Sequence, residues 1–197
     1  MTPELILASA SPRRREILER LGLDFTVHSA DVEELDDPNG NPEDMVLRNA
    51  RLKTEAVAAI FPANLVLGAD TSVFLEGRAL NKPGSLEEAS FMMGQLSGRN
   101  HTVITGLCLL WRDRDREWSG AVRSEVVFKS LTWDTVRAYF GKVDPLDKAG
   151  AYGIQEHGDM LVASYRGSRT NIMGLPVEET AAALESFGVM VPKGSEG

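Results

Sequence analysis

Residues Leu65-Val66-Leu67-Gly68-Ala69-Asp70-Thr71-Ser72-Val73-Phe74-Leu75 form an apolar run with a single carboxylate at its centre, closed by the turn signal Glu76-Gly77. A run of this length and composition predicts a buried β-strand. An unpaired carboxylate in such a strand costs on the order of several kcal/mol or gives up its charge. Asp70 therefore has a cationic or metal partner, faces a cleft, or caps a turn at a strand end. Lys82-Pro83 follows a few residues later, which makes Asp70 the leading candidate for chemistry in the chain.

A chain of 197 residues can form one domain, or two lobes sharing a core, and can bury roughly 70% of its unfolded surface. No apolar stretch approaches the ~20 residues of a membrane span. Met1-Thr2-Pro3-Glu4-Leu5-Ile6-Leu7 lacks the basic flank and long apolar core of a signal peptide and reads as a first strand, which places the protein in the cytoplasm. Cys108 is the only cysteine, so an internal disulfide and a cysteine-built zinc site are excluded, and its apolar neighbours make it a core residue. The net charge of −8 argues against a nucleic acid polymer as partner, since such binding draws on many Lys and Arg contacts with phosphates. A small anionic substrate needs only a local positive cluster.

The pattern along the chain alternates strands and helices. Leu5 to Ala8 is a buried strand, and a helix runs from Pro12 to about Leu21, with Ser11 as N-cap, Pro12 at the first position and Gly22 as the stop. Its first turn carries Arg13, Arg14 and Arg15, against the sense of the helix dipole. That turn is either solvated or an anion site in which serine hydroxyls, free N–H groups and arginines converge. Phe25 to Ala30 is a second strand, and residues 35 to 42 a loop. A helix then spans Pro42 to about Phe61, with Val46, Ala50, Val57 and Ile60 on one face. Lys53 lies within that stripe, where it either snorkels or points across a cleft at an anion or a carboxylate such as Asp70.

Beyond the strand pair of residues 65–81, Ser85-Leu86-Glu87-Glu88 is a capping box opening a helix through Met92, Met93 and Leu96, the methionines being core. Strands from His101 to Trp111 and from Trp118 to Leu131 flank the charged hairpin tip Arg112–Arg116. Thr132 caps a short helix to Phe140. Residues 144–155 are a polar, glycine-rich loop of the kind that supplies binding groups. A strand from Met160 to Tyr165 turns at Arg166-Gly167-Ser168, and Gly174-Leu175-Pro176 leads into a last helix up to Phe187. Residues 1–191 read as one domain, with 192–197 a disordered tail.

Taken together, Ala8-Ser9-Ala10-Ser11-Pro12-Arg13-Arg14, Val32-Glu33-Glu34, Lys53, Gly68-Ala69-Asp70-Thr71, Lys82-Pro83, Leu96-Ser97-Gly98 with His101, Asp147 to Gln155 and Met173-Gly174-Leu175-Pro176 resemble the Maf family of nucleoside triphosphate pyrophosphatases. The resemblance implies an elongated α/β fold related to inosine triphosphate pyrophosphatases, with a central mixed sheet, flanking helices and a cleft between two lobes. It implies hydrolysis between the α- and β-phosphates, giving a monophosphate and pyrophosphate with a divalent cation, Mg²⁺ or Mn²⁺. Arg13, Thr71 and Gln155 match the combination of the dTTP/UTP branch.

On this resemblance Asp70 is the general base or positions a metal-bound water, and Glu34 is its metal partner, with Glu33 facing solvent. Lys53 and Lys82 offset charge on the phosphoryl oxygens. Ser9 and Arg13 hold phosphate, while Thr71 and Gln155 read the base edge, a carboxamide matching the carbonyl and imide of a pyrimidine. One departure is Glu156-His157 after Gln155, where the family pattern has a glycine, and it bears on the shape of the base pocket. None of the three histidines is assigned a role. A regulator of cell division that binds nucleotide without turnover is the alternative, and a phosphohydrolase of another small ester a third reading. The sequence leaves a homodimer open.

Overall fold

The computed structural model describes residues 3–35 and 40–192, so residues 36–39 of the expected loop and 193–197 of the expected tail lie outside it. A seven-stranded mixed sheet forms the centre: β1 (Leu5–Leu7), β2 (Phe25–Val27), β3 (Leu65–Leu75), β4 (Arg78–Leu80), β5 (Asn100–Trp111), β6 (Arg116–Phe128) and β7 (Val162–Arg166). The strand order is β2-β1-β3-β5-β6-β7, with β4 on β3. β1 lies parallel to β2 and β3, and every other pairing is antiparallel. Six α-helices accompany it among the described residues: α1 (Pro12–Arg20), α2 (Pro42–Ile60), α3 (Leu86–Leu96), α4 (Trp133–Phe140), α5 (Arg169–Met173) and α6 (Val177–Ser186). One large apolar cluster runs from Leu5 to Val189 and includes Met93, Leu107 and Tyr139, while two smaller clusters lie beneath α2.

β3 carries the expected carboxylate and its pairing explains the opening beside it. One edge is covered by β5 from Val66 to Phe74. The other edge meets β1 only at Leu65–Leu67 and β4 only at Val73–Leu75. Residues 68–72, with Asp70 in the middle, are therefore left without a strand on that side. A strand that outruns its short neighbours exposes backbone and side chains that a cleft can use.

Several local expectations are corrected. Ser11 occupies the N-cap position of α1, but its side chain makes no capping bond; instead its backbone N–H donates to Ser9 Oγ at 3.2 Å. Ile60 is exposed, because the last turn of α2 packs Val57, Ala58 and the following Phe61 against Ile6 and Val66 and turns Ile60 outward. At the start of α3, Ser85 Oγ accepts from Glu88 N as expected, but the Glu88 carboxylate accepts from Gly84 N, one residue before the capping-box position. β2 ends at Val27, residues 158–160 form a 3₁₀ turn where a strand start was expected, and α5 follows the turn at Gly167 as an unforeseen helix capped by Ser168 Oγ. Met92 and Met93 are buried as expected, Thr132 caps α4, and the tip at Arg112–Asp115 is exposed.

Candidate active site

The uncovered stretch of β3 opens into a cavity of about 360 Å³. Its walls come from the β1–α1 connection (Ser9), the first turn of α1 (Arg13, Arg14), Glu34, Lys53 of α2, Asp70 and Thr71 of β3, Lys82 after β4, and the 147–155 loop with Lys148, Tyr152 and Gln155. Every residue given a catalytic, substrate or metal role from the sequence lines this cavity. The C-terminal end of β1 and the middle of the parallel strand β3 meet here, and the N-terminus of α1 follows β1 directly.

Asp70 is buried, with 5% of its surface exposed, and its two oxygens are shared between residues of α2. Oδ1 accepts from Lys53 Nζ at 2.7 Å, and Oδ2 accepts a long bond from Asn49 Nδ2 at 3.4 Å. Asn49 and Lys53 are one helical turn apart and so share a face. Asn49 also bonds both the N–H and the carbonyl of Leu35, tying the segment that carries Glu34 to the helix. Lys53 Nζ lies 2.7 Å from Glu34 Oε1 as well, so one ammonium joins the two acids. Burial works to raise the Glu34 pKa, but the bond and charge of Lys53, with the charges of Lys82 and Arg14, outweigh it and hold it below the usual carboxylate value. Glu33 is exposed, as expected.

At the start of α1 the three arginines part company. Arg15 pairs with Glu19 on the surface. Arg14, to which the sequence reading gave no separate role, turns into the cavity wall: Nε donates to Gly174 O at 2.8 Å, Nη1 to Ser9 Oγ at 3.0 Å and Nη2 to Thr71 Oγ1 at 3.0 Å. Burial lowers its pKa from the ordinary value, while the charges of Asp70 and Glu34 oppose that shift. Thr71 Oγ1 is also 2.9 Å from Thr105 Oγ1, so this hydroxyl and that of Ser9 anchor the Arg14 fork across the open edge of β3. Arg13 meets Glu156 at 3.2 Å and Asp147 at 3.5 Å, and Gln155 presents a buried Oε1 that has no hydrogen-bond partner among the described residues.

The remaining titratable candidates fall away. His101 is buried against Phe128 and Tyr152, its Nε2 2.8 Å from the Tyr152 hydroxyl, and burial drops its pKa to about 4. His28 stacks edge-on against Phe61. Cys108 is buried on β5 and burial pushes its thiol up to about 12, which removes the thiolate a nucleophile needs. Among the described residues no three His, Cys, Asp or Glu side chains are grouped to hold a metal ion, and no helix is long and apolar enough to cross a membrane.

The fold is one met in solved structures. The fold is similar to that of the Ham1 protein of Staphylococcus aureus, with a TM-score of 0.52 and 17% identity over 93% of this chain and 98% of that one. The chain belongs to the Maf family: the Maf-like protein model matches residues 4–187. Relatives named dTTP/UTP pyrophosphatase include that of Syntrophus aciditrophicus, 43% identical over 100% of this chain and 96% of its own length. Those of Akkermansia muciniphila and Moorella thermoacetica are 45% and 47% identical, each over 95% of this chain and 98% and 97% of their own lengths.

Proposed function

We propose that this protein is a nucleoside triphosphate pyrophosphatase that hydrolyses dTTP and UTP to the monophosphate and pyrophosphate. The observation that carries the reading is the Asp70–Lys53–Glu34 cluster, with Asp70 buried, lining the same cavity as Gln155, whose buried Oε1 has no hydrogen-bond partner among the described residues. The names of the full-length relatives support the same reaction and the same bases.

The triphosphate lies against the start of α1, where Ser9 and Arg13, with the Arg14 guanidinium behind them, face its oxygens. Asp70 takes a proton from the water that attacks phosphorus as the bond to the bridging oxygen breaks and pyrophosphate leaves. Lys53 and Lys82 offset the charge that gathers on the phosphoryl oxygens. Gln155 offers an acceptor and a donor side by side, which match the imide N–H and neighbouring carbonyl of thymine or uracil. Thr71 bounds the same wall and, through Arg14, fixes the phosphate side relative to the base side.

Glu34 and Asp70 would hold the divalent cation, Mg²⁺ or Mn²⁺. The donor set fits, because the Glu34 and Asp70 carboxylates converge on the Lys53 ammonium and no larger group of His, Cys, Asp or Glu is assembled among the described residues, a sparse set of the kind Mg²⁺ uses when substrate phosphates and waters complete its shell. When bound, the cation supplies charge neutralisation at the phosphates and lowers the pKa of a bound water.

The test is pyrophosphate release from dTTP, UTP, CTP, GTP and 7-methyl-GTP with each cation. Release from dTTP and UTP with a clear preference over the purine nucleotides is expected. Binding without pyrophosphate would favour a regulator of cell division, and turnover indifferent to the base would remove the pyrimidine assignment.

A further inference from the structure

Glu156, which follows Gln155 directly, has its carboxylate built into a closed ring of charges. Glu156 Oε1 accepts from Arg13 Nη1 at 3.2 Å, and Oε2 lies 3.2 Å from Lys148 Nζ. Asp147 makes the same division, with Oδ2 3.5 Å from Arg13 Nη1 and Oδ1 on Lys148 Nζ. Two cations and two anions thus alternate around one loop of contacts. Lys148, only 4% exposed, spends its third donor on the carbonyl of Asp144 at 2.8 Å, so this buried ammonium is fully partnered. Gly153 passes beneath the ring: a Cβ there would lie 3.2 Å from Lys148 Cε and 3.3 Å from Glu156 Oε1.

The ring fastens the 147–156 loop to the first turn of α1 immediately beside Gln155. On the N-terminal side of Gln155 the loop is held by Gly153 N donating to Tyr139 Oη at 3.0 Å and by Tyr152 against His101. On the C-terminal side the nearest side-chain tether is Glu156, followed by His157 in a left-handed conformation at φ 55° that surrounding contacts must maintain. Arg13 meets the ring through Nη1 alone, and among the described residues no acceptor takes its Nε or Nη2. The ring therefore aims the guanidinium while leaving donors for an anion.

We propose that Glu156 is a positioning residue for base selection: by closing the ring with Arg13, Lys148 and Asp147 it fixes the Gln155 carboxamide at the cavity wall relative to the phosphate site. This rests on the reading of Gln155 as the group that meets the pyrimidine. In Glu156→Gln the single carbonyl oxygen can serve only one of the two cations and the amide N–H₂ faces the other, so the ring opens at one edge. Charge and position then act in opposite directions. Losing a negative charge beside Arg13 favours a polyphosphate, whereas a displaced carboxamide loses the base, and misplacement by about 1 Å at a binding group costs up to ~10²-fold.

The experiment measures kcat/KM for dTTP, UTP and CTP and the inhibition constant of inorganic tripolyphosphate, a probe without a base, on the parent and on Glu156→Gln. The preference for dTTP and UTP over CTP should fall at least about tenfold, with tripolyphosphate binding unchanged or tighter. An unchanged preference in the variant, or tripolyphosphate weakened in proportion to dTTP, overturns the proposal while leaving the pyrimidine reading intact. A parent without base preference overturns both. If Glu156→Gln does not fold, Asp147→Asn opens the opposite edge of the same ring, and the same comparison decides.

Discussion

Asp70 on β3 stands directly opposite Gly106 on β5, and the missing side chain at Gly106 lets α2 settle close enough for Lys53 to reach the carboxylate. A Cβ at Gly106 would lie 2.5 Å from the carbonyl oxygen of Val46, and one at Gly68 would lie 2.1 Å from Thr54 Oγ1 and 2.7 Å from the Ala50 carbonyl oxygen. The helix backbone rests on the sheet through these two gaps. Lys53 and Asn49 hang from that helix face, so the height of α2 above the sheet sets the geometry of the acid cluster.

Gly106→Ala should disturb both stability and catalysis, because the clash is with backbone and no rotamer relieves it. Overpacking of this kind costs about 1–3 kcal/mol, or roughly 2–12 °C in Tm for a chain of this size. The displaced α2 should carry Lys53 away from Asp70 and lower kcat. Gly94→Ala is the control, since nothing lies within 4 Å of the added Cβ and α3 gains helix propensity. Thermal melts and kcat on the two variants check this, and a Gly106→Ala protein that behaves like Gly94→Ala would break the link between the glycine and the cluster.

Asp70→Asn removes the proton acceptor with almost no change of shape. Turnover should fall by on the order of 10²–10⁴. Lys53 keeps Glu34 at 2.7 Å, so the ammonium is not left alone and the fold should survive. Nucleotide binding, followed by titration under conditions too slow for turnover, should persist. Retained kcat in a folded Asp70→Asn protein would place the base elsewhere.

What the sequence made legible and what it hid divide along physical lines. Asp70 was conspicuous because a charge in an apolar strand has a steep cost, and Lys53 because it interrupts an otherwise apolar helical stripe; both signals are local. Arg14 looked like Arg13 and Arg15, since adjacent residues on a helix differ only in direction, and its direction is set by Gly174, 160 positions away. Asn49 carried no mark because a buried amide is recognisable only by what it bonds, here Leu35 and Asp70. Glu156 was visible as a departure from a pattern, but its partners are Lys148, eight residues earlier in the same loop, and Arg13, from the distant helix α1. The five-residue α5 is too short for periodicity to announce and is defined by its Ser168 cap and the Gly174 stop at φ 108°.

His101 provides a prediction for stability against pH. Its imidazole is buried and its pKa in the fold is about 4, pushed down by burial from an ordinary 6.5. Between those values the unfolded chain binds a proton that the folded chain refuses, so stability falls as pH drops through this window. Above pH 6.5 both forms are neutral and the group contributes no slope; below about 4 both are protonated and the loss is complete. The full effect is on the order of 3 kcal/mol, taking about 1.4 kcal/mol for each unit of difference. His101→Phe keeps an aromatic ring against Phe128 and Tyr152 and loses the bond to the Tyr152 hydroxyl, a cost that does not vary over this pH range. The variant should therefore be less stable at neutral pH but lose less on acidification. Denaturant melts at pH 7, 6, 5 and 4 on both proteins compare the slopes, and parallel curves would mean that the folded chain takes up the His101 proton as readily as the unfolded one.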